Sequence, residues 1–461
     1  MEVTFTRSTQ SVTCIGIAIC LSRLTRLQAQ ISGGILLLLF SSTASAAVFG
    51  ELIQPYGSYS FTADDNILRI RDKMPLPVLG TSNFSDISHR FTGGVLLGKE
   101  IGRQQFNANL SWTHTRFERF DQMNNNLKNF SGSWHWFLGN RLEGNMGASY
   151  VQSLAPFLFQ PGVKNFRTEQ TEFINASWSV HPRWRLNGSY TRYDLNSSSP
   201  GLRFLNRIED RFEGGIDFVT PGRNTIGVLF RDTIGDFPVR IPIADGSFTD
   251  NSYNQKEALA KINWVISAKS NLLGTGGWVE RTNASFTARN FSGFNARLTY
   301  SWQPTGKLGL VVSGWRETAA IQMLTANFAL STGGSVAPYW EITRKVKLQG
   351  DFLYQDMKFD NFSIFTDSFL PIGTQNTLRN ATVKLIYTPY PGLQIMTSAY
   401  HNDCKPIIPW VDLTPTASIS ICSTLTENND SQRFTYRRLF QAFDRPFHHL
   451  EHADPDRLVL P

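Results

Sequence analysis

Few side chains in this sequence sit where their type and spacing would support chemistry. His448, His449, Glu451 and His452 bring metal-capable donors together, but they lie in a Pro- and Arg-containing tail, and no resident metal is expected. His114 and His135 fall in alternating segments and read as rim or lumen residues. Cys404 and Cys422 can form a disulfide in an oxidising compartment. The sequence holds no G-x-S-x-G, H-E-x-x-H, C-x-x-C or phosphate-binding glycine loop. Ser/His/Asp pairs can be drawn, but spacing privileges none of them. Neither a catalytic residue nor a cofactor is expected.

The informative set is larger and milder. Asn107, Asn109, Arg185, Asn187, Lys261, Asn263, Arg297, Lys347, Gln349, Asn380 and Lys384 all occupy the polar phase of alternating segments. Amides and scattered cations of this kind solvate a hydrated, weakly anion-attracting passage, much as charged rings tune pores. They also hydrogen-bond sugar hydroxyls. Tyr193 and Trp315 share the phase, which suits stacking on pyranose faces.

The elements that position these residues must be strands. In QFNANLSWTHTRFERF (Gln105 to Phe120), Phe106, Ala108, Leu110 and Trp112 alternate with Asn107, Asn109, Ser111 and Thr113. Period two means one apolar and one polar face. The pattern recurs at Ile174-Ala176-Trp178-Val180, at Ala258-Ala260-Ile262-Trp264-Ile266 and at Phe294-Ala296-Leu298-Tyr300-Trp302. Each run is about ten to twelve residues, enough for a tilted strand to cross a hydrocarbon layer. Connections alternate between tight turns, such as Gly139-Asn140-Arg141 and His181-Pro182-Arg183, and long polar loops, such as DLNSSSPGLRFLNRIED and DNFSIFTDSFLPIGTQN. Short turns on one rim and long loops on the other characterise outer-membrane barrels. The expected fold is therefore an all-β, transmembrane, antiparallel up-and-down β-barrel of about 16–18 strands, from near Leu52 to near Thr424. Its polar phase faces a wet lumen and its apolar phase faces lipid. Trp112, Trp134, Trp136, Trp178, Trp184, Trp264 and Trp302 are expected in the interfacial belts.

Composition agrees. The chain has 34 Phe, 11 Trp and 13 Tyr among 461 residues, yet its mean hydropathy is only -0.22. No apolar run reaches the roughly 18 residues of a membrane helix. Arg23 and Arg26 precede GGILLLLF, and Ala44-Ser45-Ala46 follows it, the order of a secretory signal peptide. Residues 1–46 are read as that signal, with an extended N-terminal region that an upstream start codon would explain. Residues 47–424 are read as the barrel. Removing three Arg and one Glu with the signal, from 44 basic and 37 acidic residues, leaves a net charge of +5. That is too mild and too scattered for a nucleic-acid partner.

Three stretches carry a family resemblance: VFGELIQPYGSYSFTADDNILRIRD (Val48 to Asp72), DRFEGGIDFVTPGRNTIGVLFRDTIGDFP (Asp210 to Pro238) and YNQKEALAKINWVISAKSNLLGTGGWVER (Tyr253 to Arg281). Together they resemble the exosortase B-associated, EpsL-type outer-membrane proteins of exopolysaccharide operons. The resemblance covers about residues 48 to 400 and includes no catalytic motif. It implies an outer-membrane location, lipid as the surrounding medium, and exopolysaccharide with periplasmic export components as partners. A general or solute-specific porin, and a lipid- or polysaccharide-modifying enzyme, are the other readings of the same pattern. The end of the chain departs from the family: residues 425–461 are charged and aperiodic. They read as an atypical tail, either frameshifted or a periplasmic extension.

Overall fold

A computed structural model describes residues 52–67, 83–155, 164–242, 248–285, 290–320, 328–359, 375–390, 393–405 and 413–425. The signal segment, the His448 cluster and the tail lie outside the described residues. The first half of the wall consists of β1 (Ile53–Asp64), β2 (Asp86–Ile101), β3 (Gln104–Phe117), β4 (Asn125–Leu138), β5 (Leu142–Leu154), β6 (Phe166–His181), β7 (Trp184–Ser197), β8 (Arg207–Val219) and β9 (Thr225–Asp236). A small hairpin, β10 (Ile241–Pro242) with β11 (Phe248–Thr249), decorates the next loop. The second half comprises β12 (Tyr253–Ser267), β13 (Ser270–Asn283), β14 (Phe291–Trp302), β15 (Leu308–Ala320), β16 (Phe328–Glu341), β17 (Val346–Phe359), β18 (Gln375–Tyr390), β19 (Leu393–Lys405) and β20 (Leu413–Leu425).

Eighteen of these strands form one antiparallel sheet, each hydrogen-bonded to its sequence neighbours. β9 pairs with β12 across the hairpin loop, and β1 pairs with β20 from Ser58–Thr424 to Asp64–Ser418, so the first strand meets the last. The seam spans Ser58–Asp64 and leaves residues 53–57 of β1 without a β20 partner among the described residues; pairing from strand to strand is the condition for standing in hydrocarbon.

The wall is inside-out relative to a water-soluble protein. On β9, Ile226, Val228, Phe230 and Ile234 are exposed, while Thr225, Leu229 and Thr233 between them are buried. On β12, Gln255 and Glu257 are buried while Lys256 and Ala258 are exposed. Trp178, Trp184, Trp302 and Trp340 ring the tight-turn end of the outer face, and Phe91, Trp112, Trp278 and Phe294 ring the other. Trp302 and Phe294 are eight residues apart on β14, about 26 Å along a strand, which matches the apolar band of about 25 Å that a bilayer requires.

The described connections on one rim are tight. Gly102 and Gly139 take positive φ of 61° and 62° in two of them, a conformation that glycine adopts without a Cβ penalty. On the other rim the strands run further than the apolar alternation suggests. Most have 12–16 residues, and DLNSSSPGLRFLNRIED is a loop only from 198 to 206, where a 3-10 turn (Pro200–Leu205) packs Leu202 and Leu205. Phe84, Phe117, Phe120 and Met123, with Ile67 and Leu154 against them, form a small dry core beneath the long loops. The backbones of the two cysteines lie far apart. Cys404 pairs with Leu413 and Cys422 with Met396. That separates them by eight residues of β19, about 26 Å, far beyond the roughly 7 Å limit between bridged Cα atoms.

Candidate functional site

The inner face begins, near the tight turns, with a buried carboxylate. Asp217 on β8 has 0% exposure. Arg185 Nη2 lies 3.1 Å from its Oδ2, Asn187 Nδ2 donates to the same oxygen at 2.8 Å, and Lys261 Nζ lies 2.9 Å from Oδ1. Arg185 and Asn187 come from β7, but Lys261 reaches across β9 from β12. It can do so because the intervening residue is Gly227, whose Cβ would stand 2.3 Å from Asp217 Oδ1. Ser177 on β6 continues the row by donating to Asn187 Oδ1 at 2.8 Å.

Toward the loops the same strands carry a checkerboard of charge. Arg231 on β9 bridges Glu213 on β8 (2.6 Å) and Glu257 on β12 (2.9 Å). Glu209 accepts from Arg207 at 2.8 Å and from the Tyr253 hydroxyl at 2.7 Å. Gln255 donates to Glu257 at 2.6 Å and accepts from Arg281, whose guanidinium stacks 3.4 Å above the Tyr253 ring. Buried pairs of this kind contribute little net stability, but removing one partner strands a charge in low dielectric.

The opposite arc is held by pairs rather than a grid. Arg297 on β14 makes a two-pronged contact with Glu317 on β15, at 3.0 and 2.6 Å, and lies 4.9 Å above the Trp315 ring. Trp315 Nε1 and Gln355 Nε2 both donate to Ser331 Oγ, at 3.0 and 2.8 Å. Lys347 Nζ sits 4.8 Å from the Tyr339 ring. Asn380 and Lys384 on β18 are buried on either side of Thr382, which donates to Asn380. Gln349 is the register partner of Lys384. Asn109 accepts from the Tyr56 hydroxyl at 3.0 Å, Asn107 faces Gly98, and Asn263 shares the phase of Lys261 beside Thr225.

The eleven polar residues singled out by alternation therefore share the face that holds the buried charges, though on separate arcs. One expectation needs correction. The guanidiniums of Arg207 and Arg297 lie over the Tyr193 and Trp315 rings, at 5.5 and 4.9 Å from their centroids, and occupy the faces on which a sugar would stack. Sequence reasoning also missed the densest part of the wall. The signal was there: Arg207, Glu209, Arg211 and Glu213 occupy every second position of one strand. His114 falls on the outer phase, 6.0 Å from Trp112 ring to ring, and its Nδ1 donates to Asn126 Oδ1 at 2.8 Å. His135 falls on the inner phase beside Phe137. Among the described residues no group of three or more His, Cys, Asp or Glu is arranged to hold a metal.

No family model matches the sequence, and no curated protein matches it either. Solved structures similar to this chain include Pseudomonas aeruginosa OccK2 (OpdF) in complex with glucuronate, at 8% identity over 81% of this chain and 98% of that one, with a TM-score of 0.45. A BenF-like porin from Pseudomonas fluorescens Pf-5 matches at 9% identity over 82% and 98%, TM-score 0.44. The siderophore receptor PirA from Pseudomonas aeruginosa matches at 10% identity over 82% and 80%, TM-score 0.40. At these TM-scores the likeness carries no argument about activity.

Proposed function

We propose that the chain is an outer-membrane barrel forming a porin-like passage that serves exopolysaccharide biosynthesis and export, with no chemical step of its own. The observation that carries the passage is the inverted wall: large apolar side chains exposed outside, amides and charges gathered inside. The polysaccharide assignment is supported by the resemblance at Val48 to Asp72, Asp210 to Pro238 and Tyr253 to Arg281. Lipid surrounds the wall, and periplasmic export components meet the tight-turn rim.

The test has two parts. Purified protein in a planar bilayer is expected to give discrete conductance steps; a silent membrane refutes the passage. Deleting the gene is expected to lower secreted polymer, with restoration by the wild-type copy. Unchanged polymer removes the export role and leaves a general or solute-specific porin.

A further inference from the structure

We propose that Arg211, with the flanking hydroxyls of Thr191 and Thr233, is a binding site for the carboxylate of an acidic sugar, a uronate unit of the passing chain. The inference rests on the passage reading and adds the substrate class. Arg211 lies on the inner phase of β8, between Glu209 and Glu213, and is 8% exposed. Its charged neighbours are engaged elsewhere. Glu213 is taken by Arg231 and by the Ser189 hydroxyl, and Glu209 by Arg207 and Tyr253. Glu257 is taken by Arg231 and Gln255.

Arg211 itself makes no hydrogen bond with any described residue, and its buried Nε has no partner. Its register partners are Thr191 on β7 and Thr233 on β9. Thr233 is buried too, and its hydroxyl also lacks a partner. Arg211 Nε and Thr233 Oγ1 are thus left unsatisfied side by side, at one register level on neighbouring strands, a pair that a third group can satisfy together.

Charge says what that group is. Among the described inner-phase residues of β8, β9, β12 and β13 there are five cations (Arg207, Arg211, Arg231, Lys261, Arg281) and four carboxylates (Glu209, Glu213, Asp217, Glu257). Arg185 of β7 shares Asp217 with Lys261, which widens the excess of cations; Arg281 is answered by the Gln255 amide, and Arg211 by no hydrogen bond. A guanidinium fork fits a planar carboxylate with two parallel hydrogen bonds, and a threonine hydroxyl adds a further donor. A neutral sugar leaves the surplus charge unmatched.

The experiment uses the full chain in planar bilayers, with current block read against added tri-galacturonate or against maltotriose of equal length. Tri-galacturonate is expected to block at concentrations at least tenfold below maltotriose. Arg211→Gln is expected to erase the difference, and Thr233→Val, which keeps shape and loses the hydroxyl, to weaken acidic block several-fold. Heat-modifiable gel migration checks that both variants fold, and Thr233→Val carries the test alone if Arg211→Gln does not. Equal block by both sugars in the wild type, or unchanged acidic block in folded variants, overturns the site and leaves the passage standing. Inorganic phosphate competing as well as galacturonate overturns the carboxylate assignment. A wild-type protein that conducts nothing overturns the passage and the site with it.

Discussion

Gly227 is the residue on which the lower row depends. A Cβ there would stand 2.3 Å from Asp217 Oδ1 and 2.6 Å from the Ile216 carbonyl, so Gly227→Ala must push either the carboxylate or the β8 backbone aside. The expected loss is about 1–3 kcal/mol, the usual range for overpacking. It should appear as a lower urea midpoint for the folded, heat-modifiable form. Gly214 is the control, since a Cβ there meets nothing within 4 Å, and Gly214→Ala should stay within about 0.5 kcal/mol. Arg231→Met should be costlier, about 3–5 kcal/mol, because it leaves Glu213 and Glu257 buried without their shared partner. A Glu213→Gln/Arg231→Met/Glu257→Gln triple variant should recover most of that loss. At this scale the sequence was half legible. Period two fixes a side chain's face, so Asn187, Lys261 and Lys384 could be assigned to one side from a single strand each. Partners could not be assigned, because Tyr253 and Glu209 are 44 positions apart and meet only through register across β9.

At the scale of elements, turns and strand number were readable while strand ends were not. Apolar alternation stops where the outer face leaves the bilayer, but the hydrogen-bonded ladder continues: Arg192 and Asp194 are still strand residues on β7. Besides the β1–β20 seam, the β14–β15 junction is incomplete. β14 and β15 pair only from Ala296–Arg316 to Trp302–Leu310, although β14 begins at Phe291 and β15 runs to Ala320. Side chains take over above, with Asn295 donating to Thr318 at 3.0 Å and Arg316 donating to the Phe294 carbonyl. Amides of 291–295 that face β15 should therefore exchange before those that face β13, as hydrogen-exchange mass spectrometry can resolve. The loop before β12 makes a pH prediction. Burial by itself raises the Asp250 carboxyl, but hydrogen bonds from Ser252 and Arg240 outweigh it and hold the group below the usual carboxylate range. A depressed value means that this contribution to loop order is complete above the ordinary carboxylate range and is lost as pH falls through the lowered value. Protease cutting between β9 and β12 should rise on acidification, and Asp250→Asn should cut at the higher rate at neutral pH and flatten the profile.

For the whole molecule, ring closure follows from arithmetic that the sequence shows openly: alternating faces, alternating connection lengths and an even number of strands. What fills the ring was not open to the same reading, since the grid from Arg207 to Arg281 depends on four strands falling into step. The unequal rims have a further effect on how the cylinder enters a membrane. Whichever rim goes through must drag its connections across hydrocarbon, and the tight-turn rim carries far less polar backbone than the loop rim. Protein added from outside to preformed vesicles should therefore thread turns first and end in one orientation, with its loops open to added protease. Placement in the opposite sense, as delivery from the periplasm demands, calls for a machine that shepherds the long loops through.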